Sequence, residues 1–285
     1  MPDIRIQTWN CFGAAQTLRS MLAFRGVVDA HRLSHPVVRE SLAAADLVCF
    51  QELFLRDVEE FFDRLVHPHK ARDSNHVTFW PLTIAGSGLG VASRFPFRSE
   101  HVRPFTRPHR RSERFARKGL LHVRVAPDSD EQHDFDVLTT HMQSGYDPSD
   151  RAIRKRQLAE LRRAVDELGS KDRAFLVAGD FNICGLRSQR SGEYEDLREA
   201  LADFDDLGAE ADAPTFHPHP ELNSLAHRFE STSPAQRLDY LLFRRATRGG
   251  PVPVRCELTL VAPLEGQGPL TFASDHFAVC ATFRV

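Results

Sequence analysis

No Cys-x-x-Cys pair occurs in this sequence. Its five cysteines, Cys11, Cys49, Cys184, Cys256 and Cys280, are odd in number and lie singly along the chain. Without paired ligands a zinc ribbon or knuckle is excluded, and an odd set without close pairs argues against a disulfide framework. Cys49 and Cys280 sit inside apolar runs, where a free thiol behaves as a small hydrophobe, so reduced core cysteines are expected. No apolar run approaches the roughly 20 residues of a membrane span. As it begins here, the chain enters a strand pattern at once, with no basic segment leading into an apolar one. A cytoplasmic location without a transmembrane segment is therefore expected. Nor is there an excess of either charge: the formal net charge is −2, which gives no bulk pull toward nucleic acid. Repeats, low-complexity tracts and linker-like shifts in composition are also missing. A single domain over residues 1–285, acting as a monomer, is the economical organisation.

What is present is ordinary globular material. The 285 residues are 41% hydrophobic and 27% charged, enough for an independent core. Short β-like runs recur at residues 4–9, 46–51, 88–93, 120–125, 135–140, 174–178, 238–243, 257–261 and 277–285, bounded by Gly, Pro, Asp or Ser. Between them lie helical patterns at 37–45, 56–65, 151–168 and 193–201. In the 151–168 segment Ile153, Leu158, Leu161, Val165 and Leu168 share one face and charged residues cover the other, with Gly169 as a C-cap. Mixed strands and helices of this kind predict a layered α/β architecture. The run Gly86-Ser-Gly-Leu-Gly90 is followed by a strand and a proline rather than a helix, so it marks a turn and not a dinucleotide fingerprint.

The informative feature is where polar residues fall. Asn10, Glu52, His141 and the pair Asp180 and Asn182 end apolar strands. Asp239 lies at the start of another, and Asp275 and His276 open the last. One acidic residue at a strand end is usually a turn former or helix cap. Several together are costly to bury unpaired, and at one edge they would form a carboxylate–imidazole–amide pocket. An oxygen-rich pocket with few carboxylates suits Mg²⁺, which keeps waters and takes phosphate oxygens as further ligands. That chemistry points to metal-assisted hydrolysis at phosphorus.

The ordered set Asn10, Gln51-Glu52, Gly179-Asp180-Phe181-Asn182, Leu238-Asp239-Tyr240 and Ser274-Asp275-His276 resembles the endonuclease/exonuclease/phosphatase superfamily, which contains DNase I, abasic-site endonucleases, inositol polyphosphate 5-phosphatases and neutral sphingomyelinases. Three further segments are similar to sphingomyelinases in particular: Thr140-His141-Met142-Gln143-Ser144, the Lys118-Gly119 step before a strand, and Asn223-Ser224 ahead of Leu238-Asp239-Tyr240. The resemblance implies a four-layer α/β/β/α sandwich of the DNase I type with its active site at the top of two sheets. It implies Mg²⁺ as cofactor, with Mn²⁺ or Co²⁺ as substitutes, and a phospholipid or other phosphodiester as substrate, with nucleic acid as the alternative.

By position, the resemblance makes Glu52 the principal metal ligand, with Asn10 and Asp275 beside it. Asp180 and Asn182 position water and phosphoryl oxygens, and His276, oriented by Asp239, is the general base or a metal-site ligand that stabilises the developing charge. His141 protonates the leaving oxygen or hydrogen-bonds the phosphate, and Lys118, Asn10, Asn182 and Asn223 contact substrate. The chain departs from secreted bacterial sphingomyelinases in the short stretch 263–272, with only Leu264, Leu270 and Phe272 as apolar contacts. A basic run, Arg103, Arg107, Arg110, Arg111, Arg114, Arg117 and Lys118 with one Glu113, reads either as a solvated loop or as a phosphate-collecting arm. His217 and His219 read as part of a Pro-rich surface loop near the site, and His31, His35, His67 and His69 as surface residues.

Overall fold

Period-two alternation decides which side chains face the middle of this molecule. The computed structural model describes residues 3–13, 30–73, 77–79, 82–84, 86–106, 118–247, 249–266 and 272–284. Its strands are β1 (Ile4–Asn10), β2 (Leu47–Gln51), β3 (His69–Arg72), β4 (Val77–Phe79), β5 (Leu82–Ile84), β6 (Gly90–Ser93) and β7 (Phe97–Pro104). They continue as β8 (Gly119–Val125), β9 (Phe135–His141), β10 (Ala174–Asp180), β11 (Asp205–Asp206), β12 (Asp239–Arg244), β13 (Val252–Thr259) and β14 (Ala278–Arg284). The helices are α1 (Pro36–Ala43), α2 (Arg56–Asp63), α3 (Pro148–Leu168), α4 (Gly192–Ala200) and α5 (Ser224–Glu230), with short 3₁₀ turns at Ala30–Ser34 and Glu131–His133.

Two six-stranded sheets form the centre, in the orders β13-β14-β1-β2-β6-β3 and β11-β12-β10-β9-β8-β7, while β4 and β5 make a separate hairpin. One parallel pair sits inside each sheet, β1 with β2 and β9 with β10. Ile4, Ile6 and Cys49 of the first sheet meet Val137, Leu176, Leu241 and Phe243 of the second in a dry inter-sheet core. On the outer side of the first sheet, Trp9, Val48 and Phe50 receive Val38 and Leu42 of α1 and Val58, Phe61 and Phe62 of α2. On the outer side of the second, Phe175, Val177 and Tyr240 receive Leu158, Leu161 and Val165 of α3 and Leu197 of α4. This is the expected α/β/β/α sandwich. Cys11, Cys49, Cys184, Cys256 and Cys280 are all free thiols, and none of the described helices is long and apolar enough to cross a membrane.

The strands missing from the sequence reading have edge character, and the short helix α5 is absent from that reading as well. β7 carries Arg, Ser, Glu and His on a half-exposed sheet edge, and β11 has two residues. The last-but-one strand begins at Val252 rather than 257, because an edge position tolerates Pro253, which donates no ladder hydrogen bond. Two burial expectations are corrected. His67 is 1% exposed, its Nε2 bonded to Ala45 O at 2.9 Å. The charged face of α3 is not wholly solvated, since Arg154 is 2% exposed and lies against Glu193, with Nε to Oε1 at 2.8 Å. A buried guanidinium is retained there because every arm of its fork finds an acceptor.

Gly179 shows how tightly the second sheet is built at its top. Its φ is +137°, and a Cβ would lie 2.0 Å from Thr140 O on the neighbouring parallel strand. Gly179→Ala is therefore expected to destabilise the fold by about 3 kcal/mol, since both the dihedral and the backbone contact oppose a methyl group. Urea denaturation followed by circular dichroism reads this directly. A midpoint shift worth under about 0.5 kcal/mol, inside ordinary surface scatter, would mean the strands can part without cost.

Candidate active site

The inward-facing position that closes each central strand is polar. Along β1 the inter-sheet side carries Ile4 and Ile6 and ends at Asn10. Along β9 it carries Phe135 and Val137 and ends at His141. Along β10 it carries Ala174, Leu176 and Ala178 and ends at Asp180. Asp180 is in register with His141 on one side and Asp239 on the other. Asn10 is in register with Gln51, whose Nε2 crosses between the sheets to Thr139 Oγ1 at 3.0 Å. The same alternation that builds the apolar core thus delivers one polar group per strand to a common rim.

Glu52 reaches that rim by breaking the alternation. It follows Phe50 and Gln51 and would otherwise turn toward the helices, but its φ of 68° re-aims it. Phe12 (52°) and Asn182 (54°) share the left-handed conformation just beyond β1 and β10. A left-handed non-glycine residue costs about 1–3 kcal/mol, and three of them beside one cluster is a functional signature. Asn10 then ties the two sheets together. Its Nδ2 donates to Glu52 Oε1 at 3.2 Å and to Asp180 Oδ2 at 3.1 Å, while its Oδ1 accepts from Phe12 N at 3.0 Å.

Both histidines converge on Asp180. His141 Nε2 lies 3.4 Å and His276 Nε2 3.9 Å from Asp180 Oδ2. His276 Nδ1 is held by Asp239 Oδ2 at 2.7 Å, which leaves Nε2 as its working nitrogen. Asp180, Asp239 and His276 have ligand-type atoms within 4.8 Å of one another. Within that trio Asp239 and His276 share a hydrogen bond. Ser274 Oγ fixes the last segment, donating toward Asn10 O at 2.6 Å and Asp275 Oδ1 at 3.1 Å. Lys118 Nζ donates to Met142 O at 2.9 Å, and Asn182 Nδ2 donates to the same carbonyl at 3.1 Å.

The electrostatics follow from packing carboxylates out of water. Burial raises Asp180 to about 6 and Asp275 to about 7, with the neighbouring Asp239 and Glu52 charges adding to the respective shifts. Burial also raises Glu52. His276 is buried, which alone would lower it, but Asp239 and then Asp180 hold it well above its ordinary value. Burial, then the cationic Lys118 and His276, push His141 well below its own. One imidazole is thereby poised to carry a proton and the other to stay neutral.

A raised carboxylate stabilises the fold when protonated and loses that contribution as pH rises through its folded value. Asp275→Asn should therefore gain stability relative to wild type as pH rises from the ordinary 3.8 to about 7 without divalent cation. Chemical denaturation across that range measures it, and a pH-independent difference would remove Asp275 from the buried charge cluster.

The residues present fit a divalent cation. Glu52 Oε2 is a buried carboxylate oxygen without a hydrogen-bond partner, and Asp239 Oδ1 and His141 Nδ1 are also unpartnered. A hard, oxygen-rich donor set with an orphaned carboxylate oxygen is what Mg²⁺ uses. Asn223 does not join the site as a substrate contact. It is 0% exposed, donates through Nδ2 to Ser274 O (3.0 Å) and Asp275 O (3.2 Å), and caps α5 by accepting from Ala226 N. Its side chain is spent on placing the Asp275–His276 segment. Arg32 was not anticipated from sequence. It is 3% exposed and donates through Nη2 to Cys11 O and Phe12 O, both at 2.6 Å, which fixes the turn beyond Asn10. No motif surrounds it, so only the fold reveals it. Of the basic run, Arg103 pairs with Glu167, while Arg107, Arg110, Arg111, Glu113, Arg114 and Arg117 lie outside the described residues, as does Leu270.

The Endonuclease/Exonuclease/phosphatase family model matches residues 8–276, from the strand carrying Asn10 to His276 itself. The chain belongs to that family. Among curated protein sequences none matches it. Solved structures that resemble it include sphingomyelinase C from Streptomyces griseocarneus, at 20% identity over 99% of each chain with a TM-score of 0.69. A beta toxin variant from Staphylococcus aureus with bound magnesium ions is similar at 16% identity over 98% of this chain and 99% of that one, TM-score 0.70. D. rerio TDP2 complexed with a single-strand DNA product is similar at 20% identity over 99% of each, TM-score 0.69. At these identities the likeness establishes the DNase I-like fold.

Proposed function

We propose that this family member is a Mg²⁺-dependent phosphodiester hydrolase of the sphingomyelinase type, releasing phosphocholine from sphingomyelin or a related phospholipid. The observation that carries the reading is the chain Glu52–Asn10–Asp180, flanked by His141 and the His276–Asp239 dyad, with Glu52 Oε2 left for a metal. Glu52, Asn10 and Asp275 would hold the ion, which when bound supplies Lewis-acid stabilisation of charge growing on phosphate. Asp180 and Asn182 orient the attacking water and the phosphoryl oxygens. His276 Nε2 receives the water proton, and Asp239 steadies the resulting imidazolium. His141 faces the leaving oxygen. Lys118, held on Met142 O close to Glu52, His141 and Asp180, adds positive potential where the phosphate sits.

Support for a phospholipid comes from the sphingomyelinase-like segments at Thr140–Ser144, Lys118-Gly119 and Asn223-Ser224 and from the net charge of −2. The basic run from Arg103 to Lys118 favours the second reading, a nuclease on the same catalytic groups. Purified protein assayed with Mg²⁺ against sphingomyelin in mixed micelles and against plasmid DNA, each with an EDTA control, decides between them. Phosphocholine release that EDTA abolishes and Mg²⁺ restores is expected. DNA nicking without phosphocholine release would make the protein a nuclease, and full activity after metal stripping would remove the metal mechanism.

A further inference from the structure

Tyr146 is an exposed aromatic that the structure nevertheless pins. It lies five residues beyond His141, and 54% of it is open to solvent. Its hydroxyl donates to Gln236 Oε1 at 2.8 Å, and Gln236 is itself only 6% exposed. The residue before it is fixed from below, where the buried Arg154 donates through Nη1 to Gly145 O and to Gln143 O, both at 2.8 Å. Gln236 pairs with Phe216, and Phe216 pairs in turn with His276, its ring 5.3 Å from the imidazole. Tyr146 is therefore linked to His276 through Gln236 and two backbone pairings. Holding an exposed ring in one orientation gains little by burial, so the ring face is available as a preorganised recognition surface.

The charge around that face selects its ligand. Glu230, whose Oε2 accepts from Ser233 Oγ at 2.8 Å, adds negative field at the Tyr146 hydroxyl. The nearby cation, Arg154, is spent on Glu193 and on backbone carbonyls. An electron-rich ring with a carboxylate acting on its hydroxyl attracts a cation and repels a phosphate backbone. We infer that Tyr146 is a specificity-determining residue that receives the quaternary ammonium end of a phosphocholine ester by cation–π contact, an inference that rests on the phospholipid reading above.

The test compares two soluble esters with one leaving group, p-nitrophenyl phosphocholine and p-nitrophenyl 3,3-dimethylbutyl phosphate, which differ only in carrying N⁺ or carbon at the branched centre. Wild-type protein should prefer the cationic ester, and Tyr146→Leu should lower the ratio of the two kcat/KM values by about three- to tenfold, mainly through KM for the cation. Tyr146→Phe, which keeps the ring, should retain most of the preference. A variant that slows both esters equally would show a merely structural tyrosine and overturn the assignment. So would a preference that survives Tyr146→Leu. Wild-type turnover of both esters without preference would remove the choline reading itself, and a loss confined to single-stranded DNA cleavage would make Tyr146 a base-stacking platform instead.

Discussion

Asp239→Asn is expected to lower kcat/KM on a phosphodiester by about 10²–10⁴ while leaving the fold intact. Asp239 Oδ2 is 2.7 Å from His276 Nδ1, and its charge is the leading influence that keeps the buried imidazole protonated above the ordinary range. An asparagine of the same shape removes that charge and allows the wrong tautomer. The effect on the pH profile has a definite sign. As a base His276 acts only when deprotonated, so activity rises with pH through its raised value. Removing the carboxylate lowers that value, and the acid limb moves to lower pH as the plateau falls. His276→Ala should cost at least as much, and the double variant little more than either single one, because the pair works as a unit. A pH limb that stays in place in Asp239→Asn would show that His276 is not the titrating base.

Glu52→Gln is expected to have opposite effects on activity and stability. Loss of the proposed metal-binding carboxylate should cut turnover by about a thousandfold or more, the scale of removing several kcal/mol of charge stabilisation. It should also abolish the rise in melting temperature that Mg²⁺ gives wild-type protein through preferential binding to the folded state. The metal-free variant, however, should melt about 2–4 °C higher than metal-free wild type, the shift expected for about 1 kcal/mol in a chain of this size. Burial of Glu52, with its Oε2 unpartnered, outweighs the favourable influence of Lys118, Asn10 and His276, so its charge is a cost to the metal-free fold. Glutamine keeps the acceptor for Asn10 Nδ2 and discards that charge. Calorimetric titration with Mg²⁺ and differential scanning calorimetry read the two halves separately. Undiminished Mg²⁺ stabilisation of Glu52→Gln would dismiss Glu52 as a ligand.

Much of the architecture was legible because core strands and amphipathic helices write their burial into residue type. The apolar runs ending at Asn10, Gln51, His141 and Asp180 are buried strands, and the Ile153–Leu168 periodicity is α3. Edge strands such as β7 were illegible because their exposed faces take any polar residue. His67 and Arg154 were misjudged for the complementary reason. Whether a polar side chain can be buried depends on acceptors far away in sequence, here Ala45 O and Glu193.

For the site, residue type and order were enough to nominate Asn10, Glu52, His141, Asp180, Asp239, Asp275 and His276, since carboxylates and imidazoles at apolar strand ends have few uses that satisfy them. The family resemblance also gave each a role, but the contacts that hold them together were not in the sequence. Only the tertiary structure makes Asn10 span Glu52 and Asp180, turns Asn223 into a backbone clamp, and brings Arg32 under the Cys11–Phe12 turn. The physical reason is that sequence determines what each side chain can donate, accept or titrate, whereas proximity, burial and the field of neighbouring charges decide which of those capacities is used.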